Sequence, residues 1–127
     1  MMTARILLIV GLGGFLGSIA RYLAQQLITR WLPVIFPYGT FFVNVAGCFL
    51  IGIIYALADR GNALNPEWRI FLATGFCGGF TTFSTFSFEA FQLMREGQYL
   101  FLSLYIGLSV LVGILATFLA IALVRAI

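Results

Sequence analysis

Long apolar runs separated by short polar stretches divide the chain into four segments. The runs extend over residues 5–27, 38–58, 69–94 and 99–124. Each run contains the roughly 20 mostly apolar residues that a transmembrane helix needs. Trp31, Trp68 and Tyr99 lie at the ends of runs, where aromatic side chains of the membrane interface are expected. The pattern predicts an all-α membrane protein, with four transmembrane helices forming a single domain over residues 1–127.

The composition agrees with a membrane location and excludes several functions. Hydrophobic residues make up 62% of the chain and charged residues 9%, whereas soluble domains carry roughly 25% charged residues. The seven basic residues are all arginine and are scattered, so they form no nucleic-acid-binding patch. Histidine is absent from the sequence, and no nucleophile has a base near it. We therefore expect membrane lipid around the protein, no nucleic-acid partner and no enzymatic activity.

The distribution of arginine barely selects an orientation in the membrane. Four spans place both chain ends on one side, which then carries four arginines against three on the other. The positive-inside rule orients a protein by an excess of basic residues, and this excess is small. Two interpretations remain open. One is a single orientation set by one end of the chain, and the other is a dual-topology protein whose oppositely inserted copies pair as an antiparallel homodimer.

The third apolar run contains polar and flexible residues that a lipid-facing helix would not tolerate. Gly78 and Gly79 each cost about 1 kcal/mol in helix propensity, and hydroxyl residues follow at positions 81, 82, 84 and 85. Such side chains cap helix starts, so we predict a helix that stops near Gly78 and restarts near Thr82. Freed backbone carbonyls at the break are hard oxygen ligands that suit Na⁺ or a similar cation. The alternative is a kinked, continuous helix.

The first run carries two glycines and an arginine. Gly13 and Gly17 are four residues apart, a spacing typical of close helix packing. Arg21 is predicted to end this span. There it acts either as an interfacial anchor or as part of a positive vestibule that concentrates anions.

Polar side chains also occur inside the second and fourth runs. Asn44 lies midway along the second run, and a buried amide in a membrane must be paired. Lining a pore and joining two helices are equally compatible with its position. Tyr105, Ser109, Gly113 and Thr117 form a line at four-residue spacing along the fourth run. Helix packing is the ordinary interpretation of such a line, but hydroxyls on an otherwise apolar span also need partners.

Phe83 and Phe86 are three residues apart, so on a restarted helix they share a face. The edge of a phenyl ring carries positive quadrupole density and can line an anion path without a formal charge. Phenylalanine at helical spacing is also typical of packed or lipid-facing positions, and the spacing alone favours that second interpretation.

Three stretches resemble a known family. Residues 75–89, Gly-Phe-Cys-Gly-Gly-Phe-Thr-Thr-Phe-Ser-Thr-Phe-Ser-Phe-Glu, closely resemble the signature of the Fluc (CrcB) fluoride channels. Residues 39–47 are similar to the second-span motif of that family, and residues 13–22 are similar to its first-span motif. The resemblance covers the whole chain, including its length and its four-span layout.

The resemblance implies a dual-topology, antiparallel homodimer that conducts fluoride passively out of the cytoplasm across the bacterial inner (plasma) membrane. It implies a structural Na⁺ near the two-fold axis, held by the backbone carbonyls of Gly78 and Thr81. It also implies two fluoride pores. The residues that it places along them are Asn44, Phe83, Phe86, Tyr105 and Ser109. Gly113 falls where some relatives have a further hydroxyl.

Two other functions fit a chain of this size. A small dual-topology drug/proton antiporter shares the size and span count, but proton coupling wants an acidic residue deep in a span. Glu89 is the single candidate. An assembly subunit that transports nothing is the second, and it would not require the hydroxyl-rich break.

Overall fold

The computed structural model describes residues 3–61 and 63–127. All regular secondary structure in this part of the chain is helical, and it contains no strands. Its helices are α1 (Ala4–Trp31), α2 (Tyr38–Ala58), α3 (Pro66–Arg69), a π-helical segment (Ile70–Cys77), α4 (Gly78–Phe80), α5 (Phe83–Arg95) and α6 (Tyr99–Ala126). Asn62, in the predicted loop after the second run, lies outside the described residues together with Met1 and Met2.

Three of these helices, α1, α2 and α6, are long and apolar enough to cross a membrane. Helix α2 packs mainly against α6, and α1 packs mainly against the π-helical segment and α4. The prediction of an all-α, multi-pass membrane protein is confirmed. The third apolar run is divided among shorter helices.

Helix α1 is longer than its apolar run. It begins after Thr3, whose side chain accepts a hydrogen bond from the backbone of Ile6, and it ends at Trp31. Arg30, a good helix former, lies in the last turn, and Pro33 then disfavours helical geometry at the preceding Leu32, which is extended. The helix continues about 15 Å beyond Arg21. The prediction that Arg21 ends the first span is therefore wrong.

The third run contains the predicted interruption, and the alternative of a continuous kinked helix is wrong. The two extended residues are Thr81 (φ −87°, ψ 158°) and Thr82 (φ −150°, ψ 113°). Gly78 and Gly79 remain helical, so the first half ends at Phe80, two residues later than predicted. Helix α5 starts after Thr82, as predicted.

Glycines in the third run allow backbones to touch. A Cβ atom added at Gly79 would lie 2.5 Å from the carbonyl oxygen of Gly14, and one added at Gly75 would lie 2.9 Å from Cα of Gly13. A Cβ atom at Gly17 would collide with the carbonyl oxygen of Phe76. The packing interpretation of Gly13 and Gly17 is confirmed, and their partner is the first half of the third run.

The turn between α5 and α6 is tight and contains a glycine. Gly97 has a φ of +73°, a conformation that glycine adopts without steric cost. The amide of Gln98 donates to the carbonyl of Leu93 at 2.9 Å, and this bond closes the end of α5.

Candidate functional site

The side chain of Asn44 holds the break open. Its Nδ2 donates to the carbonyl oxygen of Thr82 at 3.1 Å, and its Oδ1 accepts from the amide of Thr82 at 2.8 Å. The side-chain amide of Asn44 thus pairs both the N–H and the C=O of Thr82, which lies outside any helix. Joining two segments of the chain is an observed role of Asn44, and its role along a pore stays a prediction.

The same contacts release two backbone carbonyls. In a continuous helix the amide of Thr82 would bond to Gly78 and the amide of Thr85 would bond to Thr81. The first donates to Asn44 instead, and the second donates to Oγ1 of Thr82 at 3.1 Å. Gly78 and Thr81 line the same cavity of about 310 Å³. Two released carbonyls beside one cavity fit the hard oxygen ligands that a Na⁺ ion prefers.

Arg21 supports the break from the neighbouring helix. Its Nε donates to the carbonyl oxygen of Gly79 at 3.1 Å, and its side chain is half-buried. A positive charge at the C-terminal end of a helix interacts favourably with the helix dipole and the unpaired carbonyls there. This contact gives Arg21 a position in the interior of the bundle.

A chain of polar side chains runs from Arg21 to Glu89. Arg21 donates to Gln25 at 3.5 Å, and Nε2 of Gln25 donates to Oγ1 of Thr40 at 3.1 Å. The hydroxyl of Thr40, which is 3% exposed, donates to the carboxylate of Glu89. Among the described residues no direct ion pair joins Arg21 to Glu89. Sequence reasoning did not identify Gln25 or Thr40 as parts of a polar chain, because each finds its partner on another helix.

Four aromatic rings follow one another across the bundle. Phe83 and Phe86 lie 5.7 Å apart between ring centroids, Phe86 and Tyr105 lie 4.9 Å apart, and Tyr105 and Phe36 lie 5.5 Å apart. Phe83 is 79% exposed, whereas Tyr105 is fully buried. The structure brings together Phe83, Phe86 and Tyr105, and it adds Phe36, which the sequence analysis missed.

Two hydroxyls of α6 are buried without a protein partner in the described part of the chain. They are Oη of Tyr105 and Oγ of Ser109. Thr117, farther along the same line, donates to the carbonyl of Cys48 at 2.9 Å and so joins α6 to α2. Because buried hydroxyls normally have a partner, Tyr105 and Ser109 are donors available to water or to an ion.

A polar cavity of about 580 Å³ opens at the end of the bundle that contains the α1–α2 loop. Its walls include the loop residues 32–37 and the side chains of Gln92, Glu96 and Gln98. Thr40 and Glu89 also line it. The cavity therefore connects the polar chain described above to the surface.

An interrupted apolar run with released carbonyls, beside buried donors and an open polar cavity, is typical of a channel or transporter. The sequence model of a family described as CrcB-like protein, Camphor Resistance (CrcB), matches residues 8–121. The chain belongs to this family.

Curated relatives agree with this assignment. A fluoride-specific ion channel FluC of Leptospira interrogans (serovar copenhageni) is 50% identical over 108 residues, covering 85% of each chain. A FluC of Flavobacterium psychrophilum is 48% identical over 85% of this chain and 87% of that relative. A FluC of Gloeothece citriformis is 50% identical over 94% of this chain and 96% of that relative. These relatives are named as ion channels and not as enzymes.

Proposed function

We propose that the protein is a fluoride-specific channel of the plasma membrane that lets cytoplasmic fluoride leave passively. The observation that carries the proposal is the pair of unpartnered buried hydroxyls, Tyr105 and Ser109, beside the row of aromatic rings. Fluoride is small and strongly hydrated, so a pathway must replace its water with donors while binding it weakly enough for release. Hydroxyls and ring edges meet both demands, and the names of the relatives point to the same ion.

The physiological direction follows from acid–base chemistry. Hydrogen fluoride crosses a bilayer as a neutral molecule and dissociates in a less acidic cytoplasm. An open anion pore then lets fluoride leave, driven by its gradient and by a membrane potential that is negative inside. This direction requires no coupled proton and no chemical energy source.

The test is fluoride efflux from liposomes that contain the purified protein. Efflux is expected only when a potassium ionophore compensates the exported charge, and it is expected without a proton gradient. Protein-free vesicles and a chloride-loaded sample are the controls. Proton-coupled exchange of an organic cation would instead support the antiporter, and transport of neither would support an assembly subunit.

A fourth crossing by the interrupted run is part of the proposal. Residues 66–80 together with α5 rise about 40 Å along their axes, enough for a hydrocarbon layer of about 30 Å. The exposed backbone of such a break cannot face acyl chains, so protein or water must cover it.

The proposed cover is a second copy of the chain in the opposite orientation. Phe83 and Gly78 are exposed beside the break, and the near balance of arginine permits both orientations. If the protein is an antiparallel homodimer, a terminal tag in membrane vesicles is accessible from each side in about half of the copies. Complete protection, or complete accessibility, would exclude dual topology.

We also propose a structural Na⁺ on the two-fold axis, with the carbonyls of Gly78 and Thr81 from both copies as its ligands. A two-fold axis in the membrane plane would bring the released carbonyls of the two copies together. A cation bound there would supply positive charge beside the fluoride pathway. Exchange of Na⁺ for N-methylglucamine is expected to lower the melting temperature of the purified protein and its fluoride efflux. Identical melting curves in both cations would remove the ion from the proposal.

Phe83→Ile is expected to reduce fluoride efflux severalfold, because it removes a ring edge at the exposed end of the aromatic row. Size-exclusion chromatography verifies that the variant assembles, because Phe83 lies on the surface that the second copy is proposed to cover. Phe88→Ile, at another exposed phenylalanine of α5, is the matched control and should conduct normally. Unchanged efflux of the Phe83 variant would exclude that ring from the pathway.

A further inference from the structure

Phe36 lies in the α1–α2 loop, between Pro33 and Pro37, yet its ring packs into the bundle. The ring makes an edge contact with Tyr105 at 5.5 Å and 81°. On its other sides it contacts Tyr38 at 4.8 Å and Phe41 at 5.9 Å. Phe36 also lines the polar cavity of about 580 Å³. Phe36 therefore borders that cavity and also contacts the buried tyrosine.

The position of Tyr105 depends on packing. Its side chain is fully buried, but its hydroxyl has no hydrogen-bond partner among the described residues. Thr40 and Glu89 lie near the hydroxyl but make no hydrogen bond of good geometry with it, so the aromatic rings on either side of Tyr105 contribute to its position. These are Phe86, at 4.9 Å and 48°, and Phe36. Phe86 belongs to the proposed fluoride pathway, whereas Phe36 contacts Tyr105 from the α1–α2 loop.

We propose that Phe36 is a positioning residue for fluoride conduction, which aims the hydroxyl of Tyr105 at the passing ion from the mouth of the polar cavity. This inference rests on the proposed function. The edge of Phe36 meets the tyrosine ring, so replacing it with an aliphatic chain frees the ring to tilt. A tilted hydroxyl replaces less of the fluoride hydration shell. The α1–α2 loop then contributes to conduction as well as connecting two helices.

The test is a double-mutant cycle in the liposome efflux assay. Phe36→Leu is expected to lower fluoride efflux by roughly three- to tenfold, the loss associated with one aromatic pair. Phe36→Tyr keeps the ring and should conduct as the wild type does. Phe41→Leu removes a ring of the same loop cluster that makes no ring contact with Tyr105, and it should leave efflux unchanged. In a Tyr105→Phe background, Phe36→Leu should have no further effect.

The outcomes separate the two proposals. Wild-type vesicles that release no fluoride would overturn the channel and this inference with it. If the wild type conducts and Phe36→Leu conducts equally well, the inference about Phe36 is wrong while the channel stands. The same holds if Phe36→Leu lowers efflux as much in the Tyr105→Phe background as in the wild type. Size-exclusion profiles verify that each variant assembles. If Phe36→Leu does not assemble, Phe36→Met, whose unbranched and flexible side chain adapts to irregular gaps, is tested in the same double-mutant cycle and judged by the same comparison.

Discussion

Replacing Asn44 with alanine is expected to lower fluoride efflux by about tenfold to a hundredfold. The substitution removes both hydrogen bonds to Thr82, and each buried group left unpaired costs about 1–3 kcal/mol. The amide of Thr82 then regains its helical partner, the carbonyl of Gly78, so the break tends to close. The variant thus loses a donor and also the geometry that releases the carbonyls.

A matched control separates this effect from a general loss of helix packing. Thr117→Val deletes a different hydrogen bond to α2, the one from α6 to the carbonyl of Cys48, and it preserves side-chain shape. Efflux close to that of the wild type is expected for this variant. Full activity of Asn44→Ala would leave Asn44 with the packing role alone. An equal loss in both variants would mean that removing any hydrogen bond between α2 and a neighbouring segment lowers efflux.

The break and the restart after Thr82 were predictable, but the residue at which the first half ends was not. Glycine pairs and hydroxyl residues signal an interruption in any apolar helix. The choice between positions 78 and 81 depends on contacts made elsewhere. Helix α1 approaches so closely that Gly79 is needed for space, because a Cβ atom there would lie 2.5 Å from the carbonyl of Gly14. Asn44 then accepts a hydrogen bond from the amide of Thr82, and the two extended residues lie beside the Asn44 side chain.

The π-helical segment had no recognisable signal in the sequence. Residues 71, 75, 76 and 80 all meet α1 at Gly13 or Gly17. Contact residues spaced alternately by four and five positions would not stay on one face of an ordinary α-helix, which has 3.6 residues per turn. The wider turn of a π-helix keeps them on the face that packs against α1. The packing of two helices therefore selects this winding, and local propensity alone does not indicate it.

Side chains far apart in sequence make up the parts of the site that were missed. Glu89 receives its hydrogen bond from Thr40, 49 residues away, and Thr40 receives its own from Gln25. Gln25 lies beyond the middle of α1, where a polar residue looks like an interfacial one. Arg21 was misjudged for the same reason, because the end of an apolar run does not mark the end of a helix. Periodicity indicates which residues share a face, but it does not identify the partner of that face.

Gly17→Ala is expected to destabilise the protein by about 3 kcal/mol or more, the upper range for overpacking. The added Cβ atom would collide with the carbonyl oxygen of Phe76 and lie 3.0 Å from the amide nitrogen of Phe80. Both are backbone atoms and cannot rotate away, so α1 must separate from the first half of the interrupted run. That separation also moves Arg21 away from the carbonyl of Gly79. Thermal unfolding in detergent and fluoride efflux should both show the loss.

Two glycines of the same helix provide controls for that result. A Cβ atom at Gly14 would make only ordinary contact, 3.8 Å from the carbonyl oxygen of Gly75, and one at Gly11 would meet nothing within 4 Å. Alanine is the better helix former by about 1 kcal/mol, so both variants should melt at or above the wild-type temperature. If Gly17→Ala has the same melting temperature as these two controls, the backbones of α1 and the third run are not in contact at Gly17. The break would then have to be held by Asn44 without support from α1.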